Sequence, residues 1–439
     1  MGSSTPTPPF SIVGLLHPFM NILGNYRLGR HLLIAAGLLL GVCAVAVVRN
    51  WGTFRLMYAN VAAMNEGRQA AEKIRRPEDL LGYLAAHPEQ ASLVAYELGA
   101  REEGIFFQPT VQRPMVKTDH LLLMAEYARR VEAGRLAPGR RVPLDSLAMY
   151  ALPGAGLSNH RRTLSHWRKD DLLRPDSTVA LRHLIEAIPQ FGDEAAADWF
   201  MTALGRSQVR VLADRWGLHD SEQPLPSAGI HLSWRARWES EALTAGTKEE
   251  PFSSREAYAD RVYRLVRILR RDSSFRRKEK RRLRRRGSGL SVRDQRVLAQ
   301  RTYPEGTAAD YADLLARLLN GTLGSDSVSQ CVQHQIESSV NTDSLDAPIA
   351  AVGMEAGATP GIISFVGYVR YVDDRPPRVV SLLLEGLPIA VFYHLVQTSL
   401  DKGFQLRLLS DPAFFRTVRA RLSARSGRSA PDPEVGREE

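Results

Sequence analysis

Residues 115–144 read MVKTDHLLLMAEYARRVEAGRLAPGRRVPL. From Lys117 to Glu132 the apolar side chains Leu121, Leu122, Met124, Ala125, Ala128 and Val131 recur at helical spacing. The pattern predicts a helix with one buried face, and Gly134 is placed to stop it. Upstream, SLVAYEL (92–98) and GIFFQ (104–108) predict a strand pair, and before them Pro77 opens the helical stretch PEDLLGYLAAH. Downstream, Gly154 to Asn159 reads as a loop, and helices are expected over Val179–Ile188, Asp193–Leu204, 256–271 and Thr307–Leu319. Strands are expected over Ile362–Val372 and Arg378–Leu384, joined by the turn Asp373-Asp374-Arg375-Pro376. Two helices, 387–402 and 411–424, end the ordered part. Strands thus stand at both ends and helices fill the middle. That order predicts an α+β fold, with an antiparallel sheet built from both ends of the domain and a separate all-helical region.

The charge is concentrated. The 439-residue chain carries +10, but Arg264 to Arg286 alone holds thirteen basic and two acidic side chains, so the remainder is close to neutral. A uniformly basic nucleic-acid binder is excluded as the simple reading. Two cysteines exclude a disulfide framework and a cysteine-rich zinc site. The eleven histidines form no H-E-x-x-H or i,i+4 pair, so no metal is expected. There is no Walker-type loop or GxGxxG, and no cofactor is expected.

Residues His31 to Val48 (HLLIAAGLLLGVCAVAVV) form an apolar run between Arg30 and Arg49. As a helix it would be about 27 Å long, about one hydrocarbon core, and it shows no polar face. We read it as one transmembrane helix; a cleaved signal peptide and a buried core helix are the rivals. Flanking charge gives no orientation, since Arg27 and Arg30 balance Arg49 and Arg55. The expected organisation is a tail (1–30), the anchor (31–48), a helical connector (49–90), a main domain (91–425) with a basic insertion (264–289), and a polar tail (426–439).

Four stretches in that order resemble the class A β-lactamases and related penicillin-recognising serine hydrolases. The opening stretch resembles the family's nucleophile helix. IEAIPQFGDEAAADWFMTALG resembles the segment around its Ser-Asp-Asn motif. PEGTAADYADLLARLLNG and MEAGATPGIISFVGYVRY resemble its late helix and its Lys-Thr-Gly strand. The resemblance covers about 90–424 and implies the β-lactamase/transpeptidase-like α+β fold.

The motif positions depart from the family in chemistry. Taking Lys117 as the lysine of Ser-x-x-Lys puts Pro114 at the nucleophile, with no hydroxyl and no N–H for an oxyanion hole. Residues 93 to 145 contain no serine, so a shift of register does not restore one. Ser-Asp-Asn is replaced by Gly192-Asp193-Glu194, and Lys-Thr-Gly by Glu355-Ala356-Gly357. Glu355 puts a negative charge where the family attracts a substrate carboxylate. Lys117, Asp193 and Gly357 are the motif positions retained. The resemblance therefore implies a pseudoenzyme, a membrane-anchored binding or scaffold module of the bacterial cell envelope, with its globular domain on the extracytoplasmic side. The alternative is an active serine hydrolase on β-lactam or peptidoglycan-related substrates with a displaced nucleophile. Ser158 is the candidate there, near His160; both otherwise read as a polar surface loop.

The basic block reads either as a flexible, solvated insertion or as an electrostatic tether. Its candidate anionic-surface residues are Arg276, Arg277, Lys278, Lys280, Arg281, Arg282, Arg284, Arg285 and Arg286. The expected partner is anionic lipid, at about 1 kcal/mol per basic residue near a bilayer, or an anionic cell-wall polymer. Only Phe275 interleaves the run, which disfavours nucleic acid.

Overall fold

A computed structural model describes residues 51–234, 254–337 and 348–426. The predicted transmembrane segment 31–48 falls outside them, and so do both tails. Among the described residues no helix is long and apolar enough to cross a membrane. Residues 1–58 and 59–439 form two units, and the following concerns the second.

Strands β1 (Ala91–Glu97) and β2 (Ile105–Phe107) are followed by a short strand, β3 (Arg113–Pro114). Another short pair is β4 (Arg141–Pro143) with β5 (Thr178–Ala180), and β6 (Glu305–Gly306) pairs with β3. Three long strands close the domain: β7 (Ile349–Thr359), β8 (Ile362–Tyr371) and β9 (Arg378–Leu384). The main sheet runs β2-β1-β9-β8-β7, antiparallel throughout. Val94 stands opposite Ser381, so the first and last strands of the domain are neighbours, as the order of elements predicted.

Alternate residues of the sheet feed two cores. Val94, Tyr96, Val366, Tyr368, Val379 and Leu383 face the helical region. Leu93, Ala95, Phe365, Val369, Val380 and Leu382 face the layer made by helices before and after the sheet. Helix α1 (Pro77–Ala86) belongs to that second layer, with Leu80 and Leu84 fully buried. Part of the expected connector is therefore integral to the core.

Helix α2 (His120–Glu132) is the central helix. Every residue from His120 to Ala128 is buried, so it is covered all round rather than on one face. It begins three residues later than predicted. Arg113 explains why. The residue is 1 % exposed, and its guanidinium donates to Ser92 Oγ (2.7 Å), to the Glu89 and Ala91 carbonyls and to Glu385 Oε1 (2.6 Å). Those bonds, and the pairing with β6, hold residues 113–114 extended. Extended backbone also suits the residue before a proline.

The helical region includes α3 (Leu157–Lys169), α4 (Leu181–Phe191), α5 (Glu194–Leu204) and α6 (Ser227–Ser233). The predicted loop 154–159 is shorter than expected, because α3 starts at Leu157.

The basic block is not a flexible insertion. Helix α7 (Arg255–Arg271) and helix α8 (Ser273–Arg286) are divided at Asp272, whose carboxylate caps α8 by accepting from Ser274 N and Phe275 N. One face of α8 is docked: Glu279 and Leu283 are buried, and Leu283 joins a core with Leu265 and Leu269. Two predicted surface-binding residues are engaged internally. Arg276 donates to the Leu269 (2.6 Å) and Arg270 (3.0 Å) carbonyls, and Lys280 donates to the Ala148 carbonyl. Burial, followed by repulsion from Arg276 and Arg284, lowers the Lys280 pKa to about 8. Arg277, Lys278, Arg281, Arg284 and Arg285 are exposed along the other face.

Candidate functional site

The site is built where the entry of α2 meets the α4–α5 turn and the edge strand β7. The segment before α2 is fixed first. Met115 N donates to the Pro304 carbonyl (2.7 Å) and Val116 N to Ser364 Oγ on β8 (3.0 Å). A Cβ on Gly357 would lie 2.1 Å from the Val116 carbonyl oxygen, a backbone atom that cannot swing away. Glycine at 357 is thus what lets this segment lie against β7.

Lys117 then takes φ 68°, a left-handed conformation uncommon for a non-glycine residue. Its carbonyl accepts from His120 N (2.8 Å) and opens the first turn of the helix. Lys117 and His120 are consequently the two side chains, three residues apart, that reach the other segments. Lys117 Nζ lies 3.3 Å from Glu194 Oε1 and donates to the Gly192 carbonyl (3.2 Å). His120 Nδ1 lies 3.5 Å from Glu355 Oε1, an ion-pair separation. Both pairs are enclosed: side-chain exposures are 14 and 16 % for the first and 7 and 2 % for the second.

Charge is distributed accordingly. Burial raises the Glu194 pKa, but Lys117 and then His231 more than offset this and hold it below the usual carboxylate range. Burial pushes Glu355 up, with His120 and Lys117 opposing. Burial alone would lower His120, yet Glu355 and Asp119 hold it above its ordinary value. Asp119, buried alongside, is pushed up by burial. Asp198 on α5 is raised to about 8, chiefly by burial, although both its oxygens accept backbone N–H groups, Ser227 (2.7 Å) and Ala228 (2.8 Å), at the start of α6.

The predicted site residues divide in this geometry. Pro114 is not on the helix at all. It lies in β3 opposite Glu305, buried and six residues ahead of α2. Lys117, Gly192 and Glu194 converge, and Glu355 joins through His120. Glu355 does not present a charge to the cleft, because it is 2 % exposed and turned to His120. Asp193 has a structural explanation: Oδ1 caps α5 by accepting from Ala195 N (3.0 Å) and Ala196 N (3.2 Å), and Oδ2 lies 2.9 Å from His160 Nδ1. Ala356 lies between Glu355 and Gly357 on β7, opposite Phe365.

His160 corrects the surface-loop reading, being 2 % exposed on α3. Ser158, two residues earlier, is exposed. Sequence reasoning missed His120, Asp119 and Asp198. The signal for His120 was present, since the spacing from Lys117 to His120 is the same as that of the expected motif, three residues further along.

Comparison with known proteins bears on the fold. A family model described as the beta-lactamase enzyme family matches residues 72–386. Among solved structures, a β-lactamase from Sphaerobacter thermophilus is 16% identical, covering 80% of this chain and 98% of its own, with TM-score 0.46. The structure of PBP-A is 12% identical over 81% of this chain and 97% of its own, with TM-score 0.46. An ancestral class A β-lactamase is 17% identical over 74% of this chain and all of its own, with TM-score 0.41. No curated protein matches. The matched residues make up well over half of the chain, and the chain belongs to the beta-lactamase enzyme family.

Proposed function

We propose that this domain has given up serine hydrolysis and acts as a binding or scaffold module of the cell envelope. One observation carries the proposal. At the entry of the central helix, the i,i+3 pair facing the second and third motif segments is Lys117 and His120, not Pro114 and Lys117. In this register Lys117 occupies the nucleophile's place and His120 the place of the family's lysine. Neither side chain carries a hydroxyl, and each is neutralised by a buried carboxylate. Thr118, the adjacent hydroxyl, is fully buried. A nucleophile needs a base within hydrogen-bond reach and a place for the reacting carbonyl, and here the ion pairs fill that place.

The membrane anchor at 31–48, an extracytoplasmic domain, and contact between an anionic lipid or cell-wall polymer and the exposed face of α8 complete the reading. Five of the nine basic residues first singled out, Arg277, Lys278, Arg281, Arg284 and Arg285, support that contact by their exposure. The rival is an active hydrolase using Ser158. Its partner would have to be His160, whose ring is buried against Asp193.

Intact mass after incubation with benzylpenicillin tests the proposal. No acyl adduct is expected from the wild type or from Pro114→Ser, because position 114 is in a strand outside the cleft. A stoichiometric adduct on the wild-type chain refutes it.

A further inference from the structure

A second concave site lies away from the cleft, where α7 passes the end of α5. It is a cavity of about 370 Å³, floored by Val266 and walled by Arg206, Tyr263, Arg267, Arg270 and Arg271. That volume falls in the range of small-ligand pockets. No carboxylate lines it. Arg206 is held at its rim by Glu256 (2.6 Å) and Asp260, which leaves its other guanidinium nitrogen, Nε, buried without a partner. Tyr263 Oη is likewise buried without a partner. Arg267, Arg270 and Arg271 are exposed and make no ion pair among the described residues. Three unneutralised guanidinium groups therefore surround one cavity, while Arg206 Nε and Tyr263 Oη are sealed behind its wall.

Guanidinium groups around a pocket match the oxygens of phosphate, often in bidentate pairs.

We infer that this cavity is a binding site for a phosphate monoester, carried either by a soluble small molecule or by a lipid headgroup. It is separate from the exposed face of α8, and it stands whether or not the cleft hydrolyses anything.

The test uses the full-length chain. Glycerol 3-phosphate is titrated by calorimetry at constant ionic strength, and sedimentation is measured with phosphatidylcholine vesicles with and without phosphatidic acid. Saturable binding of glycerol 3-phosphate, weakened about tenfold or more by Arg271→Gln and lost in Arg267→Gln/Arg270→Gln, assigns a soluble ester. Binding to phosphatidic acid vesicles alone, with the same sensitivity to Arg271→Gln, assigns the headgroup. Arg284→Gln/Arg285→Gln on α8 should leave glycerol 3-phosphate binding unchanged, and weakening only of vesicle binding would report on the tether instead. Circular dichroism confirms that each variant is folded. If neither probe binds, or if the wild type and both pocket variants bind alike, the site is rejected.

Discussion

The Lys117–Glu194 pair can be tested as an energetic unit. Its charges are 3.3 Å apart and each side chain is about one-sixth exposed. At an effective dielectric near 20, the gross attraction is about 5 kcal/mol. Desolvation of both groups offsets much of this, so the pair's net worth is far smaller. Removing one partner is a different matter, because it leaves a largely buried charge uncompensated. Glu194→Ala leaves Lys117 with only the Gly192 carbonyl, and Lys117→Ala leaves Glu194 with Oε2 already lacking a partner. Each single variant should lose about 2–4 kcal/mol in urea unfolding, at the lower side of the range for buried pairs. The double variant should lose less than the sum, with a coupling energy of about 2 kcal/mol. Lys117→Met with Glu194→Leu should come within about 1 kcal/mol of the wild type, since apolar replacement of a buried pair is often neutral. A coupling below about 0.5 kcal/mol, the value of an exposed pair, would show that solvent reaches this position. The ion pairs would then not close the cleft.

Other perturbations probe the same architecture. Gly357→Ala forces a Cβ toward the Val116 carbonyl and should cost about 2–3 kcal/mol as overpacking, read as a lower urea midpoint at unchanged slope. Asp193→Ala removes the α5 cap and should cost about 1–2 kcal/mol, and more if the loss of the buried His160 contact adds to it. Arg113→Ala removes a buried guanidinium with its Glu385 partner and should cost about 3–5 kcal/mol. Asp198 gives a pH signature. Its folded pKa, about 8, exceeds the unfolded value, so the folded state binds the extra proton and stability falls as pH rises from about 4 to about 8. His120 and Glu355, both raised, add in the same direction. Asp198→Asn should flatten this dependence while costing about 1–3 kcal/mol at low pH, because its amide meets a backbone N–H; an unchanged slope from pH 5 to 8 would contradict the assignment.

What was legible in the sequence follows from what each segment contains. Period-two runs such as SLVAYEL and the apolar stretch after Ile362 placed β1, β8 and β9 nearly to the residue. Strand β7 was harder, because IAAVGMEAGAT is small and glycine-rich and offers little periodicity; only the resemblance pointed to it. The start of α2 was misjudged because Lys117 and Thr118 suit a helix locally, whereas the Arg113 network, formed with residues distant in sequence, keeps the preceding chain extended. Pro114, expected on the first turn of that helix, lies in β3 instead. The docking of α8 was hidden by composition. One leucine and one glutamate among nine basic side chains seat the helix, and the distant Ala148 carbonyl that receives Lys280 leaves no mark in the local pattern.

The pairing of β1 with β9 has a consequence for how the domain forms. Ala91 meets Leu384 across almost three hundred positions of chain. Closing a loop of that length costs about 5 kcal/mol in chain entropy, whereas the helical half can gather contacts between segments that are near in sequence. The helices are thus expected to assemble first, and the sheet to close only after the final strands have been made. During synthesis, β1 would wait with an unpaired edge and apolar side chains until β9 arrives. Interruption of the chain anywhere before residue 378 should therefore yield a collapsed, aggregation-prone intermediate rather than a smaller stable domain.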